Sequence, residues 1–382
     1  MIAKEPLNIV VVGVGLIGPR HAQHVAENPE TNLMAIIDPS PKGQTVADEL
    51  CTTWFPSIAE MFQYLDLENL PYPDGAIVCT PNHLHACVLA ELAVKGVHLL
   101  VEKPVSTSLG EAKALKELAQ EHDVKVLVGH HRRFNPFIVA AKELLARVGE
   151  PIAIQGTWAL HKDDEYFKMS PWRTNTRLGG GPLLINLVHD LDLLQYLLGP
   201  IQRIYAEVMK KQRKEYPDVD EGACLTLRFK NGVTGTFLCS DKVVSPFNFE
   251  SGTGENPTVP SDDQLLGFYR IFGSHGTLSV PDMTLYHQDE LLGKSWLLPV
   301  SKSSLVGERS ELRQLKPFTA QLQHFVEVIR GRAEPACQID DGISALLCIE
   351  AVIRSIDTGL PASVGCPSEV ECDYTTLRYK KK

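Results

Sequence analysis

The chain has no run of about 18 consecutive apolar residues, the length a helix needs to cross a membrane, so no membrane span is expected. Its opening residues, MIAKEPLN, lack a charged segment, a long apolar run and a cleavage site, and no secretion signal is expected there. Cysteine is sparse and unpatterned. Nine are scattered over 382 residues, with no CxxC pair and no Cys/His zinc spacing, so neither a disulfide framework nor a metal site is expected. They read as reduced, mostly buried small hydrophobes of a cytoplasmic protein. Basic residues are outnumbered: 37 Lys and Arg against 47 Asp and Glu leave a net charge of −10, which argues against nucleic acid as a partner. Only the end, LRYKKK, is basic, and it reads as a solvated tail. Internal repeats and coiled-coil heptads are missing too.

What is present is ordinary globular material, 44% apolar and 22% charged. At 382 residues the chain exceeds one ordinary core and fits two domains, drawn here as 1–128 and 129–364 with a tail at 365–382. Residues 1–128 alternate short apolar runs with helical patterns, the mark of a parallel α/β sheet with crossover helices. The strands expected are Ile9–Val12, Leu33–Ile37, Ala76–Cys79, His98–Val101 and Val124–Val128, with helices at His21–Glu27, His83–Val94 and Leu109–Glu121. Asn82 and Ser108 stand where they can cap the second and third helices. After Phe134 a helix leads into β-rich segments, and FKNGVTGTF reads as a hairpin with Asn231-Gly232 in a type I′ turn. A long helix is expected at Leu183–Leu198, and two more at Phe318–Arg330 and Gly342–Asp357. Ser245–Gln264, rich in Pro, Ser, Gly, Asn and Asp, reads as a long loop with little effect on stability.

Three stretches can carry chemistry. Gly13, Gly15 and Gly18 form G-x-G-x-x-G after a strand and before a helix, with Leu16 and Ile17 inside the turn. The first glycine permits the sharp turn, the second lets a pyrophosphate approach, and the third lets helix and strand pack closely. Asp38 ends the second strand and can accept from ribose hydroxyls. The implied cofactor is NAD, with NADP open because Ser40 and Lys42 follow Asp38. Next, Thr80, Pro81, Asn82 and His85 follow one strand, and Glu102, Lys103 and Pro104 end another. Such strand ends line the ligand crevice of a doubly wound sheet. Last, Trp172 and Arg173 precede three glycines and a helix carrying Asn186, His189, Asp190 and Asp192.

In this order these motifs resemble the glucose–fructose oxidoreductase / inositol dehydrogenase (Gfo/Idh/MocA) family: GxGxxGxxHA at Gly13–Ala22, TPNxxH at Thr80–His85, EKP at Glu102–Pro104, RRFNP at Arg132–Pro136, the WR…GGG…HDxD run from Trp172 to Asp192, and a closing Asp340–Pro361 stretch. The resemblance covers nearly the whole chain. It implies a Rossmann domain followed by an α/β domain with an open, mostly antiparallel sheet through which dimers or tetramers form. It also implies nicotinamide-dependent redox chemistry on a sugar or polyol, with Lys103 and His189 catalytic. Lys103, Arg173, Asn186 and His189 would contact substrate, with Glu250 and Asn256 as weaker contacts, and Ser245–Gln264 would wall the pocket. One departure stands out. Many members carry an Asp four residues before the histidine, where this chain has Ile185, followed by Asn186. One residue is about 100° around a helix, so Asn186 does not simply replace that carboxylate. A non-catalytic cofactor-bound regulator, or a hydrolase or lyase using tightly held NAD, therefore stays open beside the dehydrogenase.

Overall fold

The computed structural model describes residues 5–365 except 107, 170, 177, 178, 263, 265, 290–292, 306–311, 313 and 315. The expected tail lies outside the described residues apart from Gly365. The chain divides into two compact units: residues up to His131 with Pro317–Ile343, and Arg132–Lys316 with the residues from Ser344 on. The division is therefore not the linear one drawn at residue 128. Residues 317–343 return to the first unit because the helix Pro317–Ile329 packs onto the first sheet. There Phe325 and Ile329 close on Gly75, where a Cβ would stand 2.8 Å from Ile329.

In the first unit, β1 (Leu7–Val12), β2 (Thr31–Ile37), β3 (Thr53–Phe55), β4 (Gly75–Val78), β5 (His98–Val101) and β6 (Val126–Val128) form one parallel sheet in the order β3-β2-β1-β4-β5-β6. The crossovers are α1 (Gly18–Glu27), α2 (Pro41–Glu49), α3 (Ile58–Leu67), α4 (His85–Ala93) and α5 (Leu109–Glu121). β4 is buried throughout, as helix-covered strands must be, hence its unbroken apolar run. Ser108 caps α5 by accepting from the Glu111 N–H. Asn82 caps nothing. It opens a 3-10 turn closed by Leu84 N–H to Pro81 O at 2.8 Å, so α4 starts only at His85. β3, α2 and α3 were not expected.

The second unit carries α6 (Pro136–Leu144), β7 (Pro151–Ala159), α7 (Asp164–Lys168), α8 (Val188–Leu198), β8 (Ile201–Val208), β9 (Gly222–Phe229), β10 (Thr234–Ser240), α9 (Phe249–Thr253), β11 (Tyr269–Gly273), β12 (Gly276–Val280), β13 (Thr284–His287), β14 (Ser301–Ser304) and β15 (Ala362–Ser363). Its sheet runs β14-β13-β12-β11-β7-β10-β9-β8-β15, and β7 with β10 is its one parallel pair. Inward residues such as Ile154, Leu225 and Phe237 share a core with Leu187, Leu191 and Leu194 and with Ile349 and Val352 of the helix Ile339–Thr358.

Two local expectations are corrected here. Gly232 takes φ +94° but Asn231 does not go positive, and Gly232 N–H bonds to Phe229 O at 3.1 Å. The β9–β10 connection is thus a longer turn closed by a left-handed glycine, not type I′. The supposed loop Ser245–Gln264 contains α9, capped by Asn248 and fully buried at Phe249. A segment anchored that way contributes to stability.

Candidate active site

Four adjacent strands of the first unit, β2-β1-β4-β5, end on one edge, and the predicted cofactor residues follow them. Gly13 takes φ +91°, and a Cβ there would lie 2.8 Å from the Cys79 carbonyl. A Cβ on Gly18 would lie 1.9 Å from Gly13 O, so both positions demand glycine. Gly15 differs. A Cβ on it meets nothing within 4 Å, which leaves the space a pyrophosphate needs. α1 starts beside that space with no side chain capping it; Pro19 has no N–H and Arg20 N–H bonds to Ile17 O at 3.1 Å, so the helix donor that remains for an anion is Gly18 N–H. Leu16 is exposed and Ile17 half-buried over the same turn.

Asp38 follows β2 and ties this turn together. Its Oδ2 accepts from Val14 N–H at 2.8 Å, and its Oδ1 accepts from Ser40 N–H at 2.8 Å and Ser40 Oγ at 2.5 Å. Burial pushes its pKa up, but these donors and the Lys42 ammonium bring it below the ordinary carboxylate value. Lys42 Nζ itself donates to Gly15 O. Thr80 and Pro81 follow β4, and the buried Thr80 Oγ1 has no hydrogen-bond partner. These features fit a dinucleotide.

Beyond β5, Glu102 is buried against His21 of α1, with His21 Nε2 and Glu102 Oε1 at 2.8 Å. Burial opposes its charge, yet the His21 hydrogen bond and the charges of His21, His131 and Lys103 pull its pKa down to about 2. Lys103 is half-buried and joined to Pro104 by a cis bond. His85 is fully buried, its ring nitrogens 2.6 Å from Pro104 O and 2.9 Å from Thr80 O. It braces the two segments that carry Lys103 and Thr80, and is corrected from a cofactor contact to a positioning residue.

In the second unit a π turn, Leu183–Leu187, runs into α8. Such a turn breaks the even 100° spacing assumed from sequence and is frequent at functional sites. Asn186 sits in it, with Oδ1 accepting from Lys162 Nζ at 2.7 Å. His189 is 6% exposed on α8. Its neighbours are anchors. Arg133 binds Asp192 through two hydrogen bonds, at 2.9 and 2.6 Å, and Tyr269 OH donates to Asp190. Burial raises the Asp190 pKa to about 7 although Arg132 and the Tyr269 hydroxyl oppose it. Glu250 accepts from Arg132 Nη2 at 2.6 Å and Trp158 Nε1 at 2.8 Å, so both its oxygens are structural. Asn256 Oδ1 turns back on Thr258. Arg173 is 6% exposed, its Nη1 donating to Tyr166 O at 2.7 Å. Lys162 and Tyr166 were missed, because HKDDEYFK reads as a solvated charge run. Among the described residues no cluster of His, Cys, Asp or Glu is arranged for a metal, and no helix is long and apolar enough to cross a membrane.

Sheet order, glycine turn and Asp38 define the first unit as a dinucleotide-binding domain. The chain belongs to the Gfo/Idh/MocA oxidoreductase family. Residues 7–130 match the family's NAD-binding Rossmann fold and residues 142–364 its C-terminal alpha/beta domain. Over 98% of this chain and 100% of the relative, it is 26% identical to scyllo-inositol 2-dehydrogenase (NAD(+)) of Bacillus subtilis. It is 24% identical to myo-inositol 2-dehydrogenase of Thermotoga maritima, covering 92% of this chain and 96% of that one. Its fold is similar to that of scyllo-inositol dehydrogenase from Lactobacillus casei, solved with NAD(H) and scyllo-inositol: TM-score 0.72, 17% identity, 94% of this chain and 99% of that chain.

Proposed function

We propose that this oxidoreductase moves hydride between NAD(H) and a secondary hydroxyl, or the matching ketone, of a sugar or cyclic polyol. The observation that carries the reading is Lys103, a half-buried lysine just after β5, on the sheet edge that bears the glycine turn. Relatives named for inositol oxidation support the substrate class. Bound NAD supplies the hydride acceptor at its nicotinamide. In oxidation Lys103 as its neutral amine takes the hydroxyl proton and becomes the ammonium, as the carbinol hydrogen leaves with its electron pair and the carbon becomes a ketone; in reduction the ammonium returns that proton. His189 hydrogen-bonds the reacting oxygen. Gly13, Gly15, Leu16, Ile17, Gly18, Asp38, Thr80, Pro81, Asn82 and Glu102 hold the cofactor, and Arg173 and Asn186 contact substrate.

The protein works in the cytoplasm as a homodimer or homotetramer. The outer side of its second sheet supports that assembly, since it presents Phe272 opposite Ala153, next to a cross-strand row of Arg270, Gln155, Thr236 and Thr226. The test is a screen of sugars, inositols and quinate-like cyclitols with NAD, read as NADH absorbance. Stoichiometric NADH with one of them supports the reading. No NADH from any alcohol, and none consumed with the ketones, overturns it.

A further inference from the structure

Two cations in the second unit lie against the ring of Tyr166. Lys162 Nζ is 4.4 Å from its centroid and the Arg173 guanidinium carbon 4.1 Å. Among the described residues neither has a carboxylate within ion-pair distance, although Arg173 is 6% exposed and its buried Nε has no hydrogen-bond partner. Burying a guanidinium without an anion is unfavourable, and a ring face offsets only part of that. The neighbouring acid, Asp241, gives one oxygen to Arg213, and its Oδ2 has no hydrogen-bond partner. Lys162 N–H bonds to the Asp241 carbonyl, while the Asp241 carboxylate takes Arg213 Nη2 at 2.8 Å.

What this cluster offers is donors. Lys162 has three N–H bonds and uses two, on Asn186 Oδ1 at 2.7 Å and Tyr166 OH at 3.3 Å. An ammonium facing Asn186 fixes its amide with Oδ1 toward the lysine, which leaves Nδ2 as a donor. Arg173 commits Nη1 to Tyr166 O and the Met169 sulfur. A neutral polyol both donates and accepts, and would call for a mixed set of groups. Two positive charges with only N–H bonds to offer call for an anion, and planar guanidinium suits a carboxylate. Asn186 is three residues before His189, and through its bond to Lys162 it joins this cluster to the stretch that carries the proposed catalytic histidine.

We propose that the substrate is a polyhydroxy acid whose carboxylate is held by Lys162, Arg173 and Asn186. This rests on the dehydrogenase reading above. The probes are D-glucuronate, D-galacturonate and quinate against D-glucose, D-galactose and myo-inositol, each titrated calorimetrically into the full-length protein saturated with NADH. At least one acid should bind about 10- to 100-fold more tightly than its neutral counterpart, the discrimination expected of charge-assisted hydrogen bonds. Lys162→Met and Arg173→Met should each remove most of that preference. Lys162→Gln and Arg173→Lys serve if the methionine variants do not fold. If no acid outbinds its neutral counterpart, or the variants keep the preference, the carboxylate inference is overturned. NADH formation from a neutral polyol in that case leaves the dehydrogenase reading standing.

Discussion

His21 and Glu102, 81 positions apart, meet at 2.8 Å in the interior of the first unit. The contact ties the helix behind the glycine turn to the strand end that presents Lys103. It has a pH signature. The folded carboxyl, at about 2, lies below its ordinary 4.5, so its ionised form favours the fold. That stability is present above pH 4.5 and is lost as pH falls toward 2. Glu102→Gln should therefore lose on the order of 3 kcal/mol at neutral pH, with the gap to the parent closing through that window. Urea midpoints of both proteins across the acid range measure it. A gap that does not change with pH would refute the linkage.

Lys103→Met should abolish turnover while NAD affinity stays within a few-fold. The lysine follows β5, whereas the turn that cradles phosphate follows β1, so proton transfer and phosphate binding are separable. A proton-transfer group removed costs at least ~10²-fold in kcat. Activity within a few-fold of the parent would take Lys103 out of the mechanism.

NAD should be preferred over NADP because of Asp38. An ionised carboxylate accepts from ribose hydroxyls but opposes a 2′-phosphate, a mismatch of ~1–3 kcal/mol or roughly 5- to 150-fold in affinity. Asp38→Ala should narrow the preference. It should also loosen the turn, since Val14 N–H and Ser40 lose their acceptor. Equal affinities in the parent would reduce Asp38 to a brace.

Phe249→Ala should destabilise the second unit by ~3–5 kcal/mol, the range for a large aromatic lost from a packed interior. Phe249 is fully buried, 5.5 Å from the Phe268 ring and 4.3 Å from the Arg132 guanidinium carbon. Calorimetric melting of the two proteins compares them. An unchanged melting temperature would return residues 245–264 to the status of a plain loop.

Sequence alone determined what depends on near neighbours. Gly13, Gly15, Gly18 and Asp38 were legible because each answers a local demand of strand, turn and helix. Most strands were legible too, since apolar runs and alternation are read residue by residue. β3 was not, as three residues are too few to show a period, and α2 was hidden behind a Ser-Pro sequence that also suits a turn. Pairing across the chain decided the rest. The glycine at 232 closes a longer turn because the register of β9 and β10 sets the loop, not the Asn-Gly dipeptide. Glu250, which reads as a polar loop residue, is taken up by Arg132, 118 positions away. Lys162 joins Asn186 across 24 positions, within a π turn that no periodicity announces. Charges and amides acquire their partners only when distant segments fold together, because burial turns a solvated group into one that must be matched.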